Sequence, residues 1–511
     1  MKILSAEQIK AIDEYTIANE LIVSIDLMER AAMACFKRLI KLIKASEKVY
    51  IVCGKGNNGG DGLAIGRLLF ERGFDVTVFV INHREEFTPD AAINYDLFKT
   101  KFSGHIFEIN AIEELQEQLT GNFAIVIDAL IGNGLNKPVK GILSEVIKFA
   151  NERFSRIISI DVPSGLFIDS SSPQNENIIR SSLTLTFQFP KLAFLLPGNS
   201  KYVPEFEILD IGLHPDGIKE HSTNNYYVTK YDIFPLLKVR NKFSHKGSYG
   251  HALLFSGSKG KAGAAIISSK ACMRSGAGLL TVHSTKEVLN SLLLHLPEAM
   301  SEENSNAKYI SEINKPENFD AIGFGPGIGM EEGTQQTLKK LLNFYQGPII
   351  IDADGLNILS ENKTWLNFLP ADTILTPHPK EFERLTEKCE DDFEKLKILK
   401  QFSIKYNCIV VLKGAHSTIA MPDGNLFFNS SGNPGLAKGG SGDGLTGIIL
   451  GLLCRGYNPP QAALIGTFIH GYAADLCLKK MSMESILISD VIEQLPKAFK
   501  KLEEERNDQF K

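Results

Sequence analysis

Short apolar runs that stop abruptly at a glycine or a polar residue recur along this chain, with helix-patterned segments between them. In the first half "KVYIVCG" (48–54) and "DVTVFVI" (75–81) flank "LAIGRLLFERG" (63–73), where Ile65, Leu68 and Leu69 mark a helix face ended by Gly73. "FAIVIDAL" (123–130), "RIISIDVPSG" (156–165) and "LTLTFQF" (183–189) follow. Strands that are apolar throughout, rather than at alternate positions, are buried on both faces, and the helices between them supply the cover. The second half restarts the alternation with "HALLFSG", "GLLTVHS", "FDAIGFGPG", "GPIIIDADG", "DTILTPHP" and "CIVVLKG". The expected class is therefore α/β, with a parallel sheet in each half. Near 212–240 the chain turns polar and turn-rich, which places a boundary at about 215–228 and domains at 1–215 and 226–511. No internal repeat relates the halves.

Composition matters mainly for what it excludes. With 23% charged and 43% hydrophobic residues, a chain of 511 residues can bury large cores, and a net charge of -5 offers no basic surface for nucleic acid. The start, "MKILSAEQIKAIDEYTIANE", lacks the apolar stretch of a signal peptide, and "IILGLLC" (448–454) is far too short to span a bilayer. Seven scattered cysteines without a CxxC pair fit reduced thiols in a cytoplasm better than a disulfide frame or a zinc site. The final "KKLEEERNDQFK" reads as a solvated, fraying helix end.

Chemistry concentrates at strand ends. "GKGNNGGDG" (54–62) follows a strand and opens a helix, and Gly54, Gly56 and Gly59 spell the dinucleotide fingerprint GxGxxG. The acid that should follow roughly 20 residues later is missing, because the second strand ends "VINHREE". Asn57, Asn58 and Asp61 crowd the loop instead, while Asp128 ends a strand that runs into "GNGLNKP" (132–138) and Asp161 ends one that runs into "VPSG" (162–165). Carboxyl ends of parallel strands share one edge, so these groups form an oxygen-rich nest suited to a hard cation, a polar ligand, or both. The plainer alternative is that each Asp caps a helix.

In the second half there is no GxxxxGK[ST], which rules out Walker-type nucleotide binding. "GSKGKAGAA" (257–265), "GFGPGIG" (323–329), "TPHPKEFERL" (376–385) and "KGAHST" (413–418) precede a glycine-rich turn, Gly440–Gly442, that opens an apolar helix at Asp443. A helix start holds anions on its free N–H groups. Asp443 there is either a general base beside a transferring phosphoryl group or a simple cap. Lys413 could meet a nucleotide phosphate or lie on the surface. His378 and Glu381 have HxxE spacing, but one such pair makes a turn-packing or substrate-contacting His more apt than a metal ligand.

Several stretches carry a family resemblance. "NPGLAKGGSGDGLTG", "TPHPKEFERL", "GFGPGIG" and "HKGSYGHALLFSGS…GAAIISSKACMRSGAGLLTV" resemble the nucleotide-dependent NAD(P)H-hydrate dehydratases, of ribokinase-like fold. "GKGNNGGDGLAIGRLL", "IDALIGNGLNKPVKG" and "SIDVPSG" resemble the NAD(P)H-hydrate epimerases, and the fusion in this order is similar to the bifunctional NAD(P)H-hydrate repair enzymes of bacteria. The resemblance implies a Rossmann-like three-layer domain followed by a ribokinase-like one. It implies that Asn57, Asn58, Gly59, Gly60 and Asp61, with Gly132, Asn133, Gly134, Leu135, Asn136, Lys137 and Pro138, hold the hydrated nucleotide. Asp161 would transfer protons, and Asn58, Asp128 and Ser164 would bind a potassium ion. In the second domain Ala264, Gly327, His378 and Asp443 would face the same substrate, Lys413, Gly414, Ala415, His416, Ser417 and Gly442 would hold ADP, and Mg²⁺ would accompany the nucleotide. Epimerisation of the R and S hydrates would feed an ADP-dependent dehydration of the S epimer back to NAD(P)H, with release of AMP and phosphate, in a homo-oligomer. The rival is a ribokinase-like small-molecule kinase joined to a non-catalytic nucleotide-binding domain.

Overall fold

The computed structural model describes residues 1–119, 124–172 and 177–509, and it divides into two compact units. Lys2–Thr223 forms one, and Asn224–Lys511 together with Met1 forms the other. The division falls inside the boundary zone read from the sequence, but a start at 226 would cut the first strand of the second unit. An end at 215 would remove the helix Pro215–Glu220 from the first.

In the first unit β1 (Lys48–Cys53), β2 (Asp75–Ile81), β3 (Ile106–Ile109), β4 (Ile125–Ala129), β5 (Ile157–Ile160), β6 (Leu183–Phe187) and β7 (Phe206–Leu209) make one sheet in the order β3-β2-β1-β4-β5-β6-β7. Every pairing is parallel. Val49, Ile51, Cys53, Ile125, Ile127 and Ala129 fill a core on one face; Tyr50, Val52, Phe79 and Val126 fill another on the opposite face. That two-sided burial is why these strands read as unbroken apolar runs. The strand order reverses between β1 and β4, so a crevice opens at their carboxyl ends. Phe123, at the head of the run "FAIVIDAL", lies outside the described residues.

The helix after β1 begins at Asn57, not beyond Asp61, so "NNGGD" is the helix's first turn rather than a loop. The cause is steric. A Cβ on Gly59 would lie 1.8 Å from the Gly54 carbonyl oxygen, and glycine there lets the helix start directly on the strand end.

The second unit contains β8 (Asn225–Val228), β9 (His251–Phe255), β10 (Leu279–Ser284), β11 (Met300–Glu303), β12 (Ala321–Phe324), β13 (Ile349–Ile351), β14 (Ile374–Leu375), β15 (Ile409–Leu412), β16 (Thr418–Ala420) and β17 (Leu426–Asn429). Their order is β11-β10-β9-β12-β13-β14-β15-β16-β17-β8. The sheet is mixed, because β16 runs antiparallel to both β15 and β17. The purely parallel expectation overlooked this hairpin. Its signal is "MPDGN" between two short apolar runs: Gly424 adopts φ +86° and the Asn425 N–H bonds Asp423 Oδ1, closing a tight turn.

The helices Ala262–Arg274 and Ser441–Cys454 cross closely, with the Ser268 and Cys272 carbonyls where Cβ atoms on Gly447 and Gly451 would be. The last helix, Ile488–Gln509, corrects the reading of a fraying tail. Val491, Leu495, Ala498 and Leu502 form a buried stripe at helical spacing, Lys230 pairs with Glu505 at 2.8 Å, and Arg506 donates to the Leu237 carbonyl. Two charged residues of the supposed tail are therefore anchors of its own unit. No helix among the described residues is long and apolar enough to cross a membrane, and all seven cysteines are free thiols.

Candidate active sites

In the first unit the strand-end acids occupy different settings. Asp128, in β4, is 1% exposed and accepts four hydrogen bonds: Ser164 Oγ (2.5 Å) and Leu130 N (3.3 Å) on Oδ1, and Ser159 Oγ (2.8 Å) and Ser164 N (2.9 Å) on Oδ2. These donors tie the ends of β4 and β5 together. Burial nevertheless pushes its carboxyl up, against the pull of those bonds.

Asp161 follows β5 in a left-handed conformation, φ +61°, which a side chain adopts only at some cost. Three donors converge on its Oδ1: the Lys191 ammonium at 2.9 Å, Thr186 Oγ1 at 3.2 Å and the Phe187 N–H at 3.2 Å. Lys191 is fully buried and spends its remaining donors on the Phe187 and Phe189 carbonyls. Among the described residues all donors to the Asp161 carboxylate fall on Oδ1, and none reaches Oδ2.

Asn58 is buried with neither amide atom hydrogen-bonded, and a Cβ on Gly132 would touch its side chain at 3.3 Å. The first helical turn and the "GNGLNKP" loop therefore meet. Asp61, one turn from Asn58, is also buried, and its carboxyl is pushed well up, first by burial, then by Asp161 and by Asp13. Asp13, on the helix Ala6–Glu20, is raised to about 7 by burial and by Asp161, against the opposing charge of Lys191. Asn57 is exposed, as are Gly134, Asn136, Lys137 and Pro138, while Gly132, Asn133 and Leu135 are half-buried.

In the second unit Asp352 and Lys413 meet at the strand ends, beside the helix turn that carries Asp443. Asp352 follows β13 and is 1% exposed; Lys413 follows β15 and donates to Asp352 Oδ1 at 2.9 Å, with Glu381 Oε2 at 3.8 Å. Thr446 Oγ1 donates to Asp352 Oδ2 at 2.8 Å. A Cβ on Gly442 would lie 3.3 Å from Lys413 Nζ and 3.5 Å from Asp352 Oδ2, so the glycine turn rests directly on this pair. Lys413 is thus no surface lysine.

Asp443, in the first turn of Ser441–Cys454, is raised to about 6 by burial and by Asp352, with Lys413 pulling the other way. His378 caps the helix Pro379–Leu385: Nδ1 accepts from Lys380 N and Glu381 N, and Glu381 Oε2 accepts from His378 N at 2.8 Å. The HxxE spacing is therefore a capping box. Gly327 and Ala264 are brought together, since a Cβ on the glycine would lie 3.0 Å from Ala264 Cβ. Ser417 Oγ closes the turn over Gly414 and Ala415, and His416 bonds the Asn429 carbonyl.

Two family comparisons match, one within each unit. Residues 252–497 match the NAD(P)H-hydrate dehydratase family, and residues 24–193 match the family described as YjeF-related protein N-terminus. A bifunctional NAD(P)H-hydrate repair enzyme of Moorella thermoacetica is 31% identical, over 99% of this chain and 98% of that protein. The chain belongs to the family of bifunctional NAD(P)H-hydrate repair enzymes. The counterpart from Coxiella burnetii is 33% identical over 92% of this chain and 94% of its own length. The crystal structure of an ADP/ATP-dependent NAD(P)H-hydrate dehydratase from Bacillus subtilis, co-crystallized with ATP/Mg²⁺, is 32% identical, covers 55% of this chain and all of its own, and has a TM-score of 0.49.

For a hydrate-repair chain three of these residues are new to the picture: Asp13, Lys191 and Asp352. Asp352 carried a usable signal, because "IIIDADG" repeats the strand–acid–glycine pattern that singles out Asp128 and Asp161. Lys191 and Asp13 carried none. A lysine in "FPKLAF" and an aspartate in an ordinary helix differ from surface residues only once the chain folds over them.

Proposed function

We propose that this chain repairs hydrated NADH and NADPH, with the first unit interconverting the two epimers of the hydrate and the second dehydrating one of them at the expense of a nucleoside diphosphate. The observation that carries the second reaction is the placing of Asp443, a carboxylate with an affinity for protons near neutrality, in the anion-holding turn against Lys413. The ring hydroxyl of the hydrate is a poor leaving group. Asp443 takes its proton, the oxygen attacks the terminal phosphorus of ADP, and AMP departs. The C–O bond then breaks with the electrons on phosphate, and loss of a ring proton restores the dihydropyridine. The helix N–H groups and Lys413 stand where charge develops on the transferring group. Ala264, Gly327 and His378 border the substrate, and Lys413–Ser417 with Gly442 border ADP.

Mg²⁺ would enter on the nucleotide's phosphates, as that ion does when one or two protein groups suffice. Among the described residues no cluster of three or more His, Cys, Asp or Glu is arranged to hold a metal, so no protein ligand and no step is assigned to it.

In the first unit a potassium ion fits the donor set. Asn58 Oδ1 is a buried acceptor without a partner, Ser164 Oγ keeps a lone pair, and neutral oxygens suit a weakly charged, hard cation. Asp128, whose oxygens already accept two bonds each, supplies charge beside the ion as much as ligation. Bound there, the ion would hold the first helical turn against the "GNGLNKP" loop. Asp161, through its free oxygen, would exchange a proton with the hydroxylated carbon's substituent while Lys191 fixes the carboxylate's direction.

The scattered free thiols support a reducing, cytoplasmic setting, and a symmetric homo-oligomer is the commonest assembly for such enzymes. Incubation of the protein with hydrated NADH, with and without ADP, tests the whole reading. Return of reduced-nicotinamide absorbance together with free phosphate, only with ADP, is expected. A stable phosphorylated product would favour the kinase rival.

A further inference from the structure

The two oxygens of Asp352 serve different masters. Oδ1 accepts from the Lys413 ammonium at 2.9 Å and Oδ2 from Thr446 Oγ1 at 2.8 Å. Thr446 sits one turn beyond Gly442 and Asp443 on the same helix, so it shares their face and moves with them. The carboxylate is 1% exposed and lies under the turn, 3.5 Å from where a Gly442 Cβ would be. A buried carboxylate that only neutralised Lys413 would need no bond to the helix, and one that only pinned the helix would need no cation.

We propose that Asp352 is a positioning residue for phosphoryl transfer, locking Lys413 and the helix that carries Asp443 into a single unit. This inference rests on the dehydratase reading of the site. Lys413 cannot drift relative to the glycine turn while both oxygens are engaged. The phosphoryl group therefore meets cation, N–H donors and base in one arrangement, and misplacing such a set by about 1 Å costs on the order of 100-fold in rate.

Asp352 also acts on the base through space. Asp443 is faced by Asp352 and Lys413 from the ends of β13 and β15 and by Asp354 from the next helix, and Asp354 is itself paired with Lys261 at 3.1 Å. Glu381 and His378 stand behind Lys413, and His470 reaches the turn through Ser441 at 3.4 Å. Within this set Asp352 raises the proton affinity of Asp443 and Lys413 lowers it. Removing either partner of the pair therefore pushes the base in opposite directions, which a purely structural role for the pair does not require.

The experiment measures kcat for ADP-dependent dehydration of hydrated NADH across pH, with the full chain at saturating ADP. The wild-type rate is expected to rise through about pH 6. Asp352→Asn should lower turnover about 10–100-fold and move that limb to lower pH, whereas Lys413→Met should move it to higher pH. Thr446→Val, a neutral near-isostere, should reduce turnover with the limb in place. Thermal melting establishes that each variant is folded. Should Asp352→Asn not fold, Thr446→Val decides, and wild-type turnover in it overturns the proposal. So does an unmoved limb with near-normal turnover in folded Asp352→Asn, or limbs that move the same way in the two charge variants. A wild-type protein with no ADP-dependent dehydration overturns the functional reading instead.

Discussion

On the proposed reading Asp443 carries the second site's chemistry in one carboxyl. Asp443→Asn keeps its shape and removes the base, so ADP-dependent dehydration should fall about 10²–10⁴-fold while ADP binding, measured by calorimetry, stays close to wild type. Retention of more than about a third of the turnover would reduce Asp443 to a helix cap. Lys191 is the corresponding test in the first site. Lys191→Met leaves Asp161 buried beside two neutral donors, and breaking a buried pair costs about 3–5 kcal/mol. Chemical denaturation should show that loss, and epimerisation should disappear with it. Asp13 makes a prediction about pH. Its folded carboxyl, raised to about 7 from 3.8, binds a proton that the unfolded chain releases near pH 4. Its contribution to stability is thus full below about pH 4 and lost as pH rises through about 7. Asp13→Asn should accordingly raise the melting temperature at pH 8 and not at pH 4.

At the scale of elements, the helix Asn57–Glu71 shows how backbone contact decides where a site can be. Its first turn lies against the end of β1 because Gly59 leaves no side chain to strike the Gly54 oxygen. Gly59→Ala should displace that turn and with it Asn58 and Asp61, abolishing epimerisation and lowering stability by at least about 2 kcal/mol. Gly134→Ala is the internal control. No atom lies within 4 Å of its added Cβ, so stability and dehydration should be unchanged. The same glycine composition thus has opposite consequences 75 residues apart, and only packing distinguishes them.

At the scale of the molecule, two complete sheets with separate cores and separate strand-end sites predict separable activities. A fragment of residues 224–511, which keeps β8 whole, should dehydrate one epimer with ADP and leave the other to slow spontaneous conversion. Equal enzymatic clearance of both epimers by the fragment, followed by chiral chromatography of the hydrates, would contradict the division.

Sequence alone determined the α/β class, the two-part organisation and the strand ends at which chemistry gathers. Each of these follows from local pattern: unbroken apolar runs, their punctuation by glycine, and acids placed at their carboxyl ends. The hairpin β15–β16–β17 and the acid of "IIIDADG" were also legible, since a turn signal and a strand–acid–glycine pattern stand in the letters. What only the tertiary structure decided is which groups are partners. Lys191 lies 30 residues from Asp161, and Lys413 lies 61 from Asp352 and 30 from Asp443, in separate strand connections that reach one sheet edge only when the strands are ordered. Burial is equally a property of the whole fold. The same carboxylate titrates near 4 in water and near 6 under a covered helix turn, and no local stretch of sequence records how much chain has closed over it.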